Sequence, residues 1–183
     1  GEEETVLAAH KTLLQRHPSA CLLLAPRHPE RGDAVEALVK QAGLSLARRS
    51  KGVMPGTTSQ VYLADTLGEV GTWYALSPMV FLGGSLREIG GHNPFEPIQA
   101  GAAVISGTGH FNFAETYAEL TALGAATEIS TAAELADQLS SWLARPDTLK
   151  TARSAAQQFI TRQSDQLDTT ITALMALLPD RNS

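Results

Sequence analysis

Apolar positions Val6, Leu7, Leu13 and Leu14 recur at helical spacing until His17-Pro18 stops the pattern. Cys21 to Ala25 is an unbroken apolar run, which predicts a strand buried on both faces with Cys21 as a small buried hydrophobe. From Pro29 to Ala42 the helical period returns, with Val35, Leu38, Val39 and Ala42 on one side and Gly43 placed as a C-cap. Short strands are predicted at 44–47, 61–64, 79–82, 103–106 and 127–129. Helices are predicted at 67–76, 94–100, 113–123, 131–143 and 149–178. The Gly-, Pro-, Thr- and Ser-rich stretch 51–59 reads as a loop. Strands alternating with helices at this spacing imply βαβ units. The expectation is one α/β domain over 1–183, a parallel sheet of about six strands with helices on both faces. In such folds ligands sit beyond the carboxyl ends of the strands. That directs attention to Pro26–Pro29, Asp65–Glu69, Gly83–Glu96 and Gly107–Asn112.

The third of these segments is the most informative. Between Phe81 and Pro97, FLGGSLREIGGHNPFEP, a strand breaks into a glycine loop that ends in Asn93-Pro94-Phe95-Glu96. Asn suits an N-cap, Pro the first helical position, and Glu the far side of a capping box. A strand, a flexible loop and a helix start in succession make a seat for an anion. Gly83, Gly84, Ser85 and Gly91 could bring backbone N–H groups close to a phosphate, although the same glycines also suit a plain tight turn. The spacing is neither a Walker loop nor GxGxxG. Three other helix starts carry the capping-box pattern, at Thr66–Glu69, Asn112–Glu115 and Thr131–Glu134. Glu69 and Glu96 therefore read either as capping residues or as carboxylates that grip ribose hydroxyls.

Composition narrows the function classes. A net charge of −5 argues against a general nucleic-acid binder. Between Arg27 and Lys51, however, six basic residues face three acidic ones, a local excess that suits a phosphate or merely a solvated helix face. Arg27 directly follows the first strand, where a guanidinium could make two hydrogen bonds to a phosphate. His92 and His110 stand in separate ligand-side loops. No clustered carboxylates or His pairs suggest a metal, no cofactor is implied, and there is no GxSxG elbow. One cysteine allows no internal disulfide, which fits a reducing compartment. No signal-peptide pattern is visible, and no apolar run approaches the ~20 residues a membrane span needs. The opening GEEETVLAAH, without Met and already helical, reads as cut from something longer.

APRHPER at Ala25–Arg31, DTLGE at Asp65–Glu69 with Tyr74, FLGGSLREIGGHNPFEP, and FNF at Phe111–Phe113 resemble the 3-deoxy-D-manno-octulosonic acid (Kdo) transferase family. The resemblance runs along nearly the whole chain. It implies the C-terminal half of a GT-B glycosyltransferase with two facing Rossmann-like halves, the half that holds the donor CMP-Kdo. By position, Pro26, Arg27, Gly68, Glu69, Val70, Asn93, Pro94, Phe95 and Glu96 match donor-contacting residues, and no catalytic residue falls in this chain. The implied reaction is an inverting transfer of Kdo to the lipid A precursor in lipopolysaccharide biosynthesis, with CMP leaving. The acceptor site and the general-base glutamate would lie in an N-terminal half absent here, so the chain alone is expected to bind CMP weakly and transfer nothing. The full-length enzyme would be cytoplasmic, meeting the inner membrane at its cytoplasmic face, and this domain would touch neither membrane nor nucleic acid. GTGHFNF at 107–113 departs from the family's GPHTFNF-like segment, which shifts His110. Alternatives are the donor half of a related enzyme that uses a UDP-sugar, and a non-catalytic nucleotide-binding module.

Overall fold

The computed structural model describes residues 1–176. Six strands and seven α-helices alternate along it: α1 (Glu3–Arg16), β1 (Leu22–Leu24), α2 (Gly32–Gln41), β2 (Leu46–Arg48), β3 (Val61–Leu63), α3 (Val70–Leu76), β4 (Met79–Leu82), α4 (Phe95–Gln99), β5 (Ala103–Ser106), α5 (Ala114–Ala122), β6 (Ala126–Glu128), α6 (Ala132–Ala144) and α7 (Pro146–Ala176). Every ladder is parallel, as the alternation predicts. The helical pattern expected over 149–178 begins earlier, at Pro146, and its last two residues lie outside the described residues.

One expectation needs correction. The six strands form two three-stranded sheets, β1-β3-β2 and β4-β5-β6, rather than one continuous sheet. Among the described residues no backbone ladder joins the two sheets. Helix α1 lies across both: Leu7 packs into the core of the first sheet, Ala9 into that of the second, and Val6 touches each. β1 is consequently an edge strand and only partly buried, and Cys21, just before it, is exposed rather than buried.

The two-residue period of a strand sets the layers. In β5, Val104 faces one core with Ile98, Tyr117, Leu120, Ala156 and Phe159 from α4, α5 and α7. Its neighbours Ala103 and Ile105 face the opposite core, with Ala9, Leu135, Ala136 and Trp142 from α1 and α6. In β3, Val61 and Leu63 meet Val35 and Val39 of α2, while Tyr62 points the other way, edge-on to Trp73 of α3 at 5.8 Å between ring centroids. Fully burying an aromatic or aliphatic side chain such as Phe159 stabilises by roughly 2–3 kcal/mol, and these layers fix the strand ends on which the loops stand.

Of the four expected capping boxes one comes close to the pattern, its return bond falling on Ser130, one residue before the cap. Thr131 Oγ1 accepts from the Glu134 N–H at 3.2 Å, and the Glu134 carboxylate accepts from the Ser130 N–H. At Asn93 the side chain accepts from the Phe95 N–H at 3.0 Å, two residues on, and α4 runs for just five residues. Thr66 spends its hydroxyl on the Glu69 carboxylate, and α3 starts only at Val70. Asn112 sits inside a 3-10 turn and caps nothing.

Candidate anion site at the strand ends

The loops after β4 and β5 are pressed together, backbone against backbone. The Gly109 N–H donates to Ser85 O at 2.7 Å, the Gly107 N–H to Ser85 Oγ at 2.7 Å, and the Asn112 N–H to Gly90 O at 3.1 Å. Ser85 Oγ donates in turn to Leu82 O, so this buried serine is a pin between loops and has no proton left for a ligand. Gly91 must be glycine twice over: its φ is +76°, and a Cβ there would stand 2.7 Å from His110 Cβ. His110 is buried, stacked on Tyr117 at 4.2 Å, with Nε2 2.8 Å from Glu128 Oε1. It supports the loop from below.

The glycine loop already holds an anion. The Gly84 N–H donates to Glu2 Oε2 and the Leu86 N–H to Glu2 Oε1, each at 2.7 Å. One of the amides expected to cradle a phosphate, that of Gly84, is thus taken by the chain's own carboxylate, together with that of Leu86. Nothing local in the sequence revealed this contact, since 82 residues separate Glu2 from Gly84.

Arg27 stands at the mouth of this loop, exposed, with Nη1 3.5 Å from His92 Nδ1, the outer limit of a hydrogen bond. Burial and the neighbouring Arg27 charge push the His92 pKa below its usual value, so the ring is neutral at neutral pH. His92 Nε2 lies 3.1 Å from where a Gly84 Cβ would stand. Asn93 and Glu96 follow, both exposed, while Pro94 is fully buried and Phe95 packs on Phe159 at 5.7 Å. Pro94 and Phe95 therefore position the loop end; Asn93 and Glu96 face outward.

Gly68, Glu69 and Val70 open α3, which packs beside α4, and Tyr74 of α3 feels the Glu96 charge, which adds to burial in raising its phenol. Glu69 is held by Arg49 through both oxygens and by the Thr66 hydroxyl, which keep its carboxyl at about 2. Among the described residues no side-chain contact joins Glu69 to Arg27. The structure brings Arg27 to His92 of the glycine loop, one residue before Asn93, and sets Glu69 at the start of α3. Gly68 has φ +78° with open space around it, and Val70 is exposed; Pro26 is half-buried beside Arg27.

The local basic excess dissolves on inspection. Arg31 pairs with Glu3, Lys40 and Lys51 with Glu36, Arg48 with Asp33, Glu36 and Asp65, and Arg49 with Glu69. Of the six basic residues between Arg27 and Lys51, Arg27 alone has no carboxylate partner among the described residues. No group of His, Cys, Asp and Glu among the described residues is arranged to hold a metal ion. A shallow depression of ≈ 330 Å³ at the end of β6 is lined by Glu128, Glu134 and Asp137, the wrong sign for a phosphate.

No protein-family model matches the chain. Curated proteins do. A 3-deoxy-D-manno-octulosonic acid transferase of Haemophilus influenzae is 40% identical over 134 residues, 73% of this chain and 31% of that protein. One from Bordetella pertussis is 36% identical over 169 residues, 92% of this chain and 39% of that protein. The chain thus spans well under half the length of the curated relatives it matches. Among solved structures, the C-terminal CMP-Kdo binding domain of WaaA from Acinetobacter baumannii superposes with a TM-score of 0.83 at 34% identity, covering 87% of this chain and 83% of that one.

Proposed function

The chain belongs to the 3-deoxy-D-manno-octulosonic acid transferase family, and from that membership we propose that it binds CMP-Kdo as the donor half of a GT-B enzyme transferring Kdo to the lipid A precursor. The observation that carries the reading is Arg27. It is the one cation of its cluster left without a carboxylate, and it stands at the carboxyl end of β1 against His92 of the glycine loop. A guanidinium there can grip the donor's phosphate with two hydrogen bonds.

Transfer with inversion puts an acceptor hydroxyl on the anomeric carbon while the bond to the phosphate oxygen breaks and CMP departs. The electrons of the broken bond go to the phosphate oxygen, so negative charge grows on that phosphate as the sugar leaves, and a fixed guanidinium beside it lowers the barrier. Glu69 stays ionised throughout the working range because Arg49 and Thr66 hold its carboxyl at about 2, and its exposed edge can accept from a ribose hydroxyl. Asn93 and Glu96 face the same rim and orient the nucleotide, over a floor formed by Pro94 and Phe95. Pro26, Gly68 and Val70 supply backbone and apolar contact to the cytidine. Ser85 and the amides of Gly84 and Leu86 are already engaged, so the loop shapes the phosphate site and leaves the gripping to Arg27.

The general base and the acceptor site lie in this reading outside the chain, in the part of the relatives it does not span. The acceptor is a lipid, so the whole enzyme works at the cytoplasmic face of the inner membrane. Among the described residues no helix is long and apolar enough to cross a membrane.

Calorimetric titration with CMP and with UDP tests the reading. CMP is expected to bind, UDP much less, and Arg27→Ala should weaken CMP roughly tenfold or more, the scale of a charge-assisted hydrogen bond, without moving Tm. UDP binding as well as CMP would hand the chain to a UDP-sugar enzyme. No binding of either, or an Arg27→Ala variant with unchanged affinity, would end the proposal.

A further inference from the structure

We infer that Glu2 is a positioning residue: its carboxylate fastens the glycine loop after β4 so that His92 and Arg27 are presented to the donor. The side chain does not cap its own helix. It turns away from α1 and accepts the Gly84 and Leu86 N–H groups, one on each oxygen, at 2.7 Å. The residue is 9% exposed, so the charge is desolvated and its compensation comes from these two charge-assisted bonds. Gly83 leaves the room: a Cβ there would stand 3.0 Å from Glu2 Oε2.

The path from Glu2 to the site is short. Gly84 O accepts the Gly91 N–H at 2.8 Å, and Gly84 borders the His92 ring, whose other nitrogen faces Arg27. The next residue works on the other loop. Glu3 Oε1 accepts from Arg31 Nη1 at 2.6 Å, four residues beyond Arg27. Two consecutive carboxylates at the start of α1 therefore hold the loop after β1 and the loop after β4, the two that carry Arg27 and His92. An arrangement in which the same amides waited for the donor's phosphate has the opposite consequence, because Glu2 would then be a competitor for them.

The two arrangements differ in sign, which makes the test direct. Glu2→Gln keeps the shape but offers a single carbonyl oxygen, and its NH2 group confronts an N–H donor. Glu2→Ala removes the anion altogether. The affinity of each variant for CMP and for inorganic phosphate is measured alongside Tm and amide hydrogen exchange. In the unsubstituted chain, Gly84 and Leu86 should be protected from exchange, and in Glu2→Gln that protection should fall at these two amides while the β5 amides keep theirs. CMP affinity should drop roughly tenfold in both variants, measured well below Tm. Unchanged or tighter binding of CMP or phosphate by Glu2→Ala overturns the inference, as does free exchange of both amides in the unsubstituted chain. The binding arm rests on the proposed donor. Should the unsubstituted chain bind no CMP, that reading fails, and the exchange arm alone decides whether Glu2 holds the loop.

Discussion

The two sheets end in rims built on different principles. Beyond β2 and β3 the rim is ionic. Arg48, with a side chain 11% exposed, donates to Asp65 at 2.6 Å, Asp33 at 2.5 Å and Glu36 at 2.7 Å, and Lys40 and Lys51 close on the same Glu36. Beyond β4 and β5 the rim is made of backbone: glycines at positive φ, amide-to-carbonyl bonds between loops, and one serine pin. The first arrangement spends its cations on its own carboxylates and has none to offer an anion. The second satisfies its polar groups mostly through the main chain, with the Ser85 hydroxyl and the Glu2 carboxylate taking the rest, and among the described residues leaves Arg27 without a carboxylate at its edge. Charge density along the sequence is therefore a poor guide to which cations are free to meet a ligand, since all but one of the clustered basic residues pair with carboxylates among the described residues.

Stability and binding should separate along that line. Arg48→Met strips Asp65, whose side chain is 1% exposed, of its cation, and breaking such a buried pair costs about 3–5 kcal/mol. For a chain of this length that lowers Tm by roughly 6–20 °C. CMP affinity, measured below the new Tm, should hardly change, because Arg48 bonds only to carboxylates of its own rim. A variant that lost CMP binding at unchanged Tm would dissolve the distinction between the rims.

Gly91→Ala probes the other rim and should hurt both properties. An alanine at φ +76° costs about 1–2 kcal/mol, and its methyl presses on His110 Cβ and Cα, adding about 1–2 kcal/mol. The expected loss is about 3 kcal/mol by chemical denaturation. With the loop displaced, His92 no longer backs Arg27, and CMP affinity should fall with it. Loss of stability with intact binding would show that the loop does not shape the site.

How much of this was legible beforehand depended on the range of the interaction. β4 and β5 fall where the apolar runs of 79–82 and 103–106 placed them, because a short buried strand writes its own hydrophobic pattern. Helix starts were less readable. Thr66 and Asn112 have the composition of caps, yet Thr66 found a better partner in the Glu69 carboxylate, and Asn112 is fixed by the contact of its backbone with Gly90. Cys21 looked buried because an apolar run does not say whether a strand is central or at an edge; β1 pairs on one side only. Arg27 could be singled out by its place after a strand. That Arg48, Arg49 and Lys51 were spoken for could not, since their carboxylates are 12 to 20 residues away. Glu2 was out of reach for the same reason, at a separation of 82.

The smallest effect tests whether the ionic rim acts as a network or as separate pairs. Lys51 is 55% exposed at its side chain, and Lys51→Ala leaves Glu36 with both Lys40 and Arg48, so the loss should stay below about 0.5 kcal/mol. Acid should achieve what that substitution does not. Lys40, Lys51 and Arg48 hold the Glu36 carboxyl at about 2, against 4.5 for an unconstrained one. The folded state thus binds fewer protons than the unfolded state between those values. The stabilisation is complete above pH 4.5 and drains away as pH falls through about 2. Because the Ser50 N–H is bonded to Asp65 of the same network, its exchange protection should fail earlier in an acid titration than that of Gly91 or Gly109, whose partners are carbonyls. Simultaneous loss at all three amides would mean that the two rims open as one cooperative unit despite their different construction.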